Sequence, residues 1–156
     1  MKGHPEIIET LNHLLTEELT AINQYIVHSE MCDNWGYARL HKEIEKIAID
    51  EMKHAEKIIG RILFLEGLPA IAKLNPIAIG PDVKAIIESD LGGEADAIAS
   101  YNKAIKKADA LLDAGTREMF EDILEDEERH LDFHEARRDQ IQQMGLSVFL
   151  VDQTRE

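Results

Sequence analysis

Apolar residues recur every three or four positions over four long stretches of the chain, which is the period of a helix with one buried face. The four stretches span residues 5–34, about 38–64, about 82–112 and about 116–144. In the first stretch the buried face is predicted to hold Ile8, Leu11, Leu15, Ile22 and Ile26. Breaks at Asn34–Gly36 and at Gly115 fall between the members of each pair. The pattern therefore predicts an all-α fold made of two helical hairpins.

A long connection, residues 65–81, separates the two hairpins. It holds three of the four prolines, and seventeen residues is long for a link in a compact bundle. Extended at about 3.3 Å per residue it reaches roughly 56 Å, whereas a helix of about 28 residues is roughly 42 Å long. We therefore expect a crossover that runs the length of the bundle and starts the third helix parallel to the second. Its apolar residues predict that another surface covers it: Ile71, Leu74, Ile77 and Ile79.

The apolar stretch Leu146–Val151 follows Gly145, a residue typical of helix ends. Its local propensity favours a strand. A single strand has no pairing partner in an all-helical fold. We therefore interpret this stretch as an appendage that packs on a neighbouring subunit.

Composition narrows the possible partners and the cellular location. A net charge of -14 disfavours nucleic acid, because few cations remain to neutralise phosphates. The single Cys32 excludes an internal disulfide and any four-cysteine metal module. No apolar run approaches the roughly 20 residues of a membrane span, and Met1–Glu6 has no apolar signal region. We expect one domain over residues 1–156, located in the cytoplasm.

A repeated set of acidic residues and histidines interrupts the apolar stripes. The run Asp126–His130 repeats the spacing of the run Asp50–His54, with an offset of 76 residues. The same offset relates two more pairs: Glu18 with Glu94, and Tyr25 with Tyr101. In each run a Glu and a His lie three apart, on neighbouring turns of one helix face.

The hairpin geometry predicts which of these residues meet. In two antiparallel helices, residues at one level have numbers with a constant sum. Glu18 and Glu51 centre on 34.5, beside the first break, so we expect them to face each other. Glu94 and Glu127 centre on 110.5, within about one turn of the break at Gly115.

Together these residues predict a two-metal centre, with three ligands from each hairpin. The six candidate ligands are Glu18, Glu51, His54, Glu94, Glu127 and His130. Four buried carboxylates are costly unless cations neutralise them, and two divalent ions balance the charge. Glu51 and Glu127 are placed to bridge the two ions. Oxygen ligands with one imidazole per ion favour Fe(II) or Mn(II) over zinc or copper(I). This set is already known from ferritin-like di-iron bundles.

Several neighbouring residues have candidate supporting roles. Asp50 and Asp126 each precede a histidine by one turn and are placed to orient the imidazoles. Tyr25 and Tyr101 either hydrogen-bond the carboxylates or are ordinary core tyrosines. His134 has Ile58 as its counterpart, lies outside the repeated set and receives no role.

Other charged residues are predicted at the surface. Glu17 and Glu128 adjoin ligands but are rotated about 100° from the metal face, so they meet solvent or another subunit. The remaining histidines are also placed at the surface: His4, His13, His28 and His41.

Over its full length the chain resembles the bacterioferritins. The resemblance rests on the doubled Glu…Asp-Glu-x-x-His pattern, Trp35, the long crossover, the tail that begins at Gln143, and above all Met52 inside the first motif. It implies a ferritin-like four-helix bundle with a long crossover between helices 2 and 3 and a short C-terminal helix. It also implies that the six residues form a ferroxidase centre, which oxidises Fe(II) with oxygen or peroxide.

The resemblance implies further partners and cofactors. Two-fold dimers would build a hollow shell of 24 subunits that stores ferric mineral. One b-type haem per dimer would be held by Met52 from both subunits, and a small ferredoxin-type protein would supply electrons for iron release. Some relatives carry a histidine at position 46, part of an inner-surface iron site with Asp50. This chain has Lys46 there, which leaves that site open.

Four other interpretations fit the sequence less well. Di-iron oxygenases need a substrate cavity and usually a longer chain. A rubrerythrin-like peroxidase needs a four-cysteine module. DNA-binding mini-ferritins place their ligands at a dimer interface and often have basic tails. A structural bundle, or a haem-binding module with a decayed centre, does not require an intact set of six ligands.

Overall fold

The computed structural model describes residues 1–156, which form five helices and no strand. The helices are α1 (Pro5–Asn34), α2 (Ala38–Phe64), α3 (Val83–Ala110), α4 (Ala114–Met144) and α5 (Leu146–Gln153). The all-α prediction is confirmed, and the four long helices begin and end within two residues of their predicted bounds. None of the helices combines the length and the hydrophobicity that a membrane span requires.

The first three helices end in the same way, with one residue in the left-handed conformation. After α1 this residue is Gly36, with φ of 83°. After α2 and α3 it is Glu66 and Leu112, with φ of 60° and 58°. In each case the next N–H bonds back to a carbonyl in the last turn, as from Gly67 to Ile62 at 2.8 Å. These tight ends set the short loops of both hairpins and the start of the crossover.

The two hairpins, α1–α2 and α3–α4, pack with α1 against α3 and α2 against α4. The α1–α3 pair is antiparallel, because Tyr25 meets Glu94 whereas the later Tyr101 meets the earlier Glu18. Since α1 is also antiparallel to α2, helix α3 runs parallel to α2. The predicted crossover is therefore confirmed.

Polar side chains of α1 hold the crossover along the bundle. Each forms a hydrogen bond with the backbone of the crossover: Asn12 with Leu68 and Ala70, Thr20 with Asn75, Gln24 with Ala78, and His28 with Gly80. These four residues lie on one face of α1, so the exposed backbone of the crossover is satisfied along its length. Its apolar side chains point away from the bundle, and Leu68 and Ile71 are 84% and 65% exposed. Nothing within this chain covers them.

Two apolar clusters form the core, one toward each end of the bundle. The first cluster includes Leu11, Leu15, Ile58, Ile62 and Phe120. The second cluster includes Leu40, Ile44, Ile86, Ile87 and Phe149.

The C-terminal stretch is helix α5, which confirms the short C-terminal helix that the resemblance implies and not the strand that local propensity favours. Phe149 and Gln153, four apart on one face, are buried against the chain's own bundle. A short helix pairs its own backbone groups, whereas a lone strand would leave them unpaired. The expectation that this stretch packs on a neighbouring subunit is thus wrong for its buried face. Val148 and Val151 on the other face are 59% and 67% exposed.

Candidate metal centre

The six candidate ligands converge between the two apolar clusters, and all are at least 96% buried. They form two groups, in each of which the donor atoms lie within 4.8 Å of one another. The first group is Glu18, Glu51, His54 and Glu127, and the second is Glu51, Glu94, Glu127 and His130. Glu51 and Glu127 belong to both groups, so each is placed to bridge two ions.

The two histidines present the same nitrogen to the centre. Nδ1 of His54 lies 3.3 Å from Glu51 Oε2 and 3.6 Å from Glu18 Oε2. Nδ1 of His130 lies 2.9 Å from Glu51 Oε1 and 3.6 Å from Glu94 Oε1. Because each Glu and His stand three apart on one helix, both side chains reach the same space. Nδ1 is therefore the candidate ligand atom of each histidine.

The outer nitrogens of these histidines meet aspartates of the opposite hairpin. Nε2 of His54 lies 2.9 Å from Asp126 Oδ2, and Nε2 of His130 lies 3.3 Å from Asp50 Oδ2. A proton donated from Nε2 leaves Nδ1 with a free lone pair facing the centre. The sequence identified the aspartates, but it gave no sign that each one serves the histidine of the other hairpin.

The two tyrosines bond carboxylates across the same boundary. Tyr25 on α1 donates its hydroxyl proton to Glu94 on α3, and Tyr101 on α3 donates to Glu18 on α1. Both tyrosines are buried. Of the two alternatives that the sequence left open, the hydrogen-bonding role is the one found.

His134 joins this network, although the sequence analysis left it without a role. Its Nε2 lies 2.9 Å from the Tyr25 hydroxyl, and the ring is fully buried. Burial lowers the pKa of His134 to about 4, so the ring is neutral at physiological pH. One feature of the sequence could have indicated this role: His134 lies four residues after His130, on the same face of α4.

Burial and crowding shift the proton affinity of the ligands strongly. Burial, together with repulsion from the other carboxylates, raises the pKa of Glu51 and of Glu127 well above the usual range. Burial also raises the pKa of Glu94 to about 7. Burial disfavours the His54 cation, but the neighbouring carboxylates of Glu18 and Glu51 outweigh it and raise the pKa of His54 to about 10. In the absence of metal the centre therefore holds protons.

Among the candidate ligands, two buried carboxylate oxygens accept no hydrogen bond, namely Oε2 of Glu18 and Oε1 of Glu51. A buried acceptor without a partner costs free energy, and a bound cation would satisfy it. With oxygen-rich donor sets and one imidazole in each group, the residues fit two hard or borderline divalent cations.

A cavity of about 460 Å³ leads to the centre between α1, α3 and the crossover. Four ligands line its inner end: Glu18, Glu51, Glu94 and Glu127. Further acidic residues line the rest: Glu17, Glu88, Asp90 and Asp96. Glu17 accepts a bond from Ser100 at 2.9 Å and faces this cavity, whereas Glu128 is exposed. A negative lining of this kind attracts cations toward the ligands.

The other predicted surface histidines divide into two kinds. His4 and His13 are exposed, and His41 is partly buried against Ser29. The prediction for His28 is wrong, because this residue is fully buried. Its Nδ1 lies 2.8 Å from Asp90, and its Nε2 accepts the Gly80 N–H. Since both ring nitrogens are paired, burial carries no unsatisfied polar group.

Met52 lies on the outer side of α2 and is 39% exposed. Ile49, one turn earlier, is also exposed at 40%. Glu51, the residue before Met52, points into the centre. One side of this turn of α2 therefore faces the candidate ligands, and the other faces the surface.

Comparison with known proteins agrees with this geometry. A ferritin-like domain matches residues 8–144. The bacterioferritin of Brucella melitensis is 44% identical over 145 residues, covering 93% of this chain and 90% of that protein. The bacterioferritin of Rhodobacter capsulatus is 43% identical over 149 residues, covering 96% and 92%. That of Mycolicibacterium paratuberculosis is 40% identical over 149 residues, covering 96% and 94%. The chain therefore belongs to the bacterioferritins, within the ferritin-like family.

Proposed function

We propose that this protein stores iron and oxidises Fe(II) to Fe(III) at the centre formed by Glu18, Glu51, His54, Glu94, Glu127 and His130. The observation that carries the proposal is the pair of buried donor groups that share Glu51 and Glu127. The relatives named bacterioferritin support iron as the metal. Iron is the substrate here, and the ferric product is stored as mineral.

Two iron ions at adjacent positions supply one electron each, which suits a two-electron acceptor such as oxygen or peroxide. The chain's own residues hold this arrangement. Glu51 and Glu127 span both positions, while Glu18 with His54 and Glu94 with His130 each serve one. Asp126 and Asp50 keep the histidine protons on Nε2, away from the metal side. The acidic cavity gives Fe(II) a path to the ligands.

An anaerobic Fe(II) titration followed by oxidant tests this function. We expect two Fe(II) ions bound tightly per subunit, then rapid oxidation, then slower growth of mineral as more Fe(II) is added. Binding of fewer than two ions, or oxidation no faster than in buffer, would contradict the proposal. Zinc added beforehand is the control, because it occupies the metal positions and cannot be oxidised.

The subunits are further proposed to assemble, through two-fold dimers, into a closed shell of 24 copies in the cytoplasm. The support is the apolar surface that the isolated chain leaves uncovered: Leu68, Ile71, Leu74, Ile77 and Ile79 on the crossover, and Val148 and Val151 on α5. Several exposed apolar side chains on one segment are typical of a subunit interface. Analytical ultracentrifugation in dilute buffer is the test, and a species of one or two subunits at every concentration would exclude the shell.

Haem binding is the third part of the proposal, with Met52 from two subunits holding one b-type haem. Met52 and Ile49 make an exposed apolar patch on α2, next to the centre in sequence but outside it. A two-fold axis brings the same residue from both subunits together. A small ferredoxin-type protein is proposed as the electron donor for iron release.

Absorption spectra separate a haem ligand from a packing residue. Protein expressed with ample haem should show a low-spin spectrum at one haem per dimer. Met52→His should change that spectrum, and Met52→Leu should lose the haem. Retention of the parent spectrum by Met52→Leu would make Met52 a packing residue.

A further inference from the structure

The two halves of the centre match residue for residue, except beside the tyrosines. Tyr25 and Tyr101 are counterparts, and each donates to a glutamate of the other hairpin. Tyr25 has a second polar neighbour, since His134 Nε2 lies 2.9 Å from its hydroxyl oxygen. The counterpart of His134 is Ile58, which has no polar side-chain atom. The ring of Tyr101 instead packs edge-on against Phe120, with centroids 6.1 Å apart.

The direction of these bonds follows from counting protons. The Tyr25 hydroxyl has one proton, and it points to the Glu94 carboxylate. The contact between His134 and Tyr25 therefore needs the proton of His134 Nε2, donated to the tyrosine oxygen. Nδ1 is then an unprotonated acceptor, which agrees with its having no partner in its buried surroundings. The other tautomer would bury an unpaired N–H, and orphaned donors are rarer than orphaned acceptors.

Packing fixes the His134 ring in this orientation. It stacks on the Tyr25 ring with an interplanar angle of 10°. It also makes an edge-to-face contact with the Phe133 ring, with centroids 5.0 Å apart. The ring is 0% exposed. A donor held this rigidly keeps the Tyr25 hydroxyl in place, and a chain of hydrogen bonds strengthens each of its members.

We propose that His134 is a positioning residue, which holds Glu94 through Tyr25 and makes the metal position of Glu94 and His130 bind more tightly than the position of Glu18 and His54. This inference rests on the proposed function, because it assumes that both positions take metal. A carboxylate that is already oriented loses less freedom on binding a cation. Loss of a residue that supports a metal ligand typically lowers metal affinity by about 10–100-fold. His134 acts through one more bond, so we expect about ten-fold.

Visible absorption of Co(II) provides the test, using the assembled, metal-free protein. The parent should bind two Co(II) ions per subunit in two steps. His134→Leu should weaken the first, tighter step by about ten-fold and leave the intrinsic affinity of the other position unchanged; weakening of the second, looser step instead would contradict the inference. His134→Gln, which keeps an N–H donor, should recover most of the affinity. Tyr25→Phe should weaken the same step as His134→Leu, whereas Tyr101→Phe should weaken the other.

A combined variant shows whether His134 acts through Tyr25. In the Tyr25→Phe background, His134→Leu should have no further effect on Co(II) binding. Additive losses, equal weakening of both steps, or a Gln variant as weak as the Leu variant would overturn the inference. If His134→Leu does not fold, His134→Asn replaces it, because its shorter amide lacks a donor at the Nε2 position.

The same titration separates this inference from the proposed function. A parent that binds no Co(II) at the centre contradicts the metal site, and with it the inference. A parent that binds two ions, with neither step altered selectively by His134→Leu, contradicts only the role of His134.

Discussion

The two apolar clusters at the ends of the bundle and the charged centre between them are built from the same four long helices. At the ends, the buried side chains are mostly apolar and pack against one another. In the middle, four carboxylates are buried together, and two of their oxygens accept no hydrogen bond. The ends therefore stabilise the fold, and the middle is held in a state that is unfavourable until cations arrive.

Protons take part of the cations' role in the metal-free chain. Glu51 and Glu127, the two residues shared by both donor groups, have the pKa shifts that burial and mutual repulsion produce. Metal binding must displace such protons, so it should release acid into the medium. The apolar ends therefore supply the stability that keeps the charged centre assembled, and the centre supplies donor atoms for cations. Four changes test that division, from the largest expected effect to the smallest.

Leu11→Ala should reduce the free energy of unfolding by about 2–5 kcal/mol, because it opens a cavity in the first apolar cluster. Leu11 is fully buried there, two turns from Glu18. Denaturant unfolding of the metal-free protein measures the loss, and metal stoichiometry should stay at two per subunit. Leu112→Ala is the control, since Leu112 is 92% exposed and should change stability by about 0.5 kcal/mol at most.

Glu127→Ala should slow Fe(II) oxidation by more than about a hundred-fold, beyond the usual cost of losing a residue that only supports a ligand. It removes an oxygen donor from both metal positions at once. The midpoint temperature of unfolding of the metal-free protein should be unchanged or higher, because a buried carboxyl group that repels its neighbours has been removed. Stopped-flow absorbance gives the rate, with the exposed neighbour Glu128→Ala as the control. An unchanged rate would move the chemistry away from this centre.

Asp126→Ala should weaken metal binding by about 10–100-fold through the His54 ring, which loses the acceptor for Nε2–H. Asp50→Ala should do the same through His130. Isothermal titration with Co(II) measures both variants. The exposed Asp122, one turn before Asp126 on α4, provides the matched control as Asp122→Ala. Loss of affinity in that control would mean that net charge, and not the contact with the histidine, is responsible.

The metal-free protein should lose stability as the pH rises from about 7 to 10. The folded chain binds the His54 proton more tightly, with a pKa of about 10 against the ordinary 6.5. That stabilisation is complete below 6.5 and is lost toward 10, at up to about 1.4 kcal/mol per pH unit for each extra proton bound. Below 6.5 the raised pKa of Glu94 and the lowered pKa of His134 act in opposite directions.

Calorimetry of chelator-treated protein at pH 7 and at pH 9.5 measures this effect. The midpoint should fall at the higher pH, and saturating divalent metal should remove most of the difference because it replaces the protons. A midpoint that rises with pH would show that the centre is not protonated in the folded state.

The sequence predicted the parts of this molecule that depend on spacing along one helix. The period of the apolar residues placed the four long helices, and the repeat with its offset of 76 residues identified the six residues that converge. The sequence did not predict which residues of one hairpin contact which residues of the other. The pairing of His54 with Asp126 depends on how far one hairpin slides along the other, and no spacing within a helix encodes that slide.

Local propensity and helix spacing alone also misjudged residues whose place is decided by packing. The strand propensity of Leu146–Val151 gave way to a helix because Phe149 has an apolar cluster to fill. His28 is buried because Asp90 on α3 and Gly80 on the crossover meet its two nitrogens. The register that pairs Tyr25 with Glu94 also brings His28 opposite Asp90. The contact of His28 could therefore have been predicted only with knowledge of the register between α1 and α3.

The crossing of partners between the hairpins also sets an order of events during synthesis. When the first hairpin has left the ribosome, it carries only Glu18, Glu51 and His54, while Glu127 and Asp126 are still to be made. Contacts between residues so distant in sequence need both hairpins to be present, and closing such long loops slows folding. A nascent chain therefore has no complete place for a metal ion, and capture begins only when both hairpins have docked.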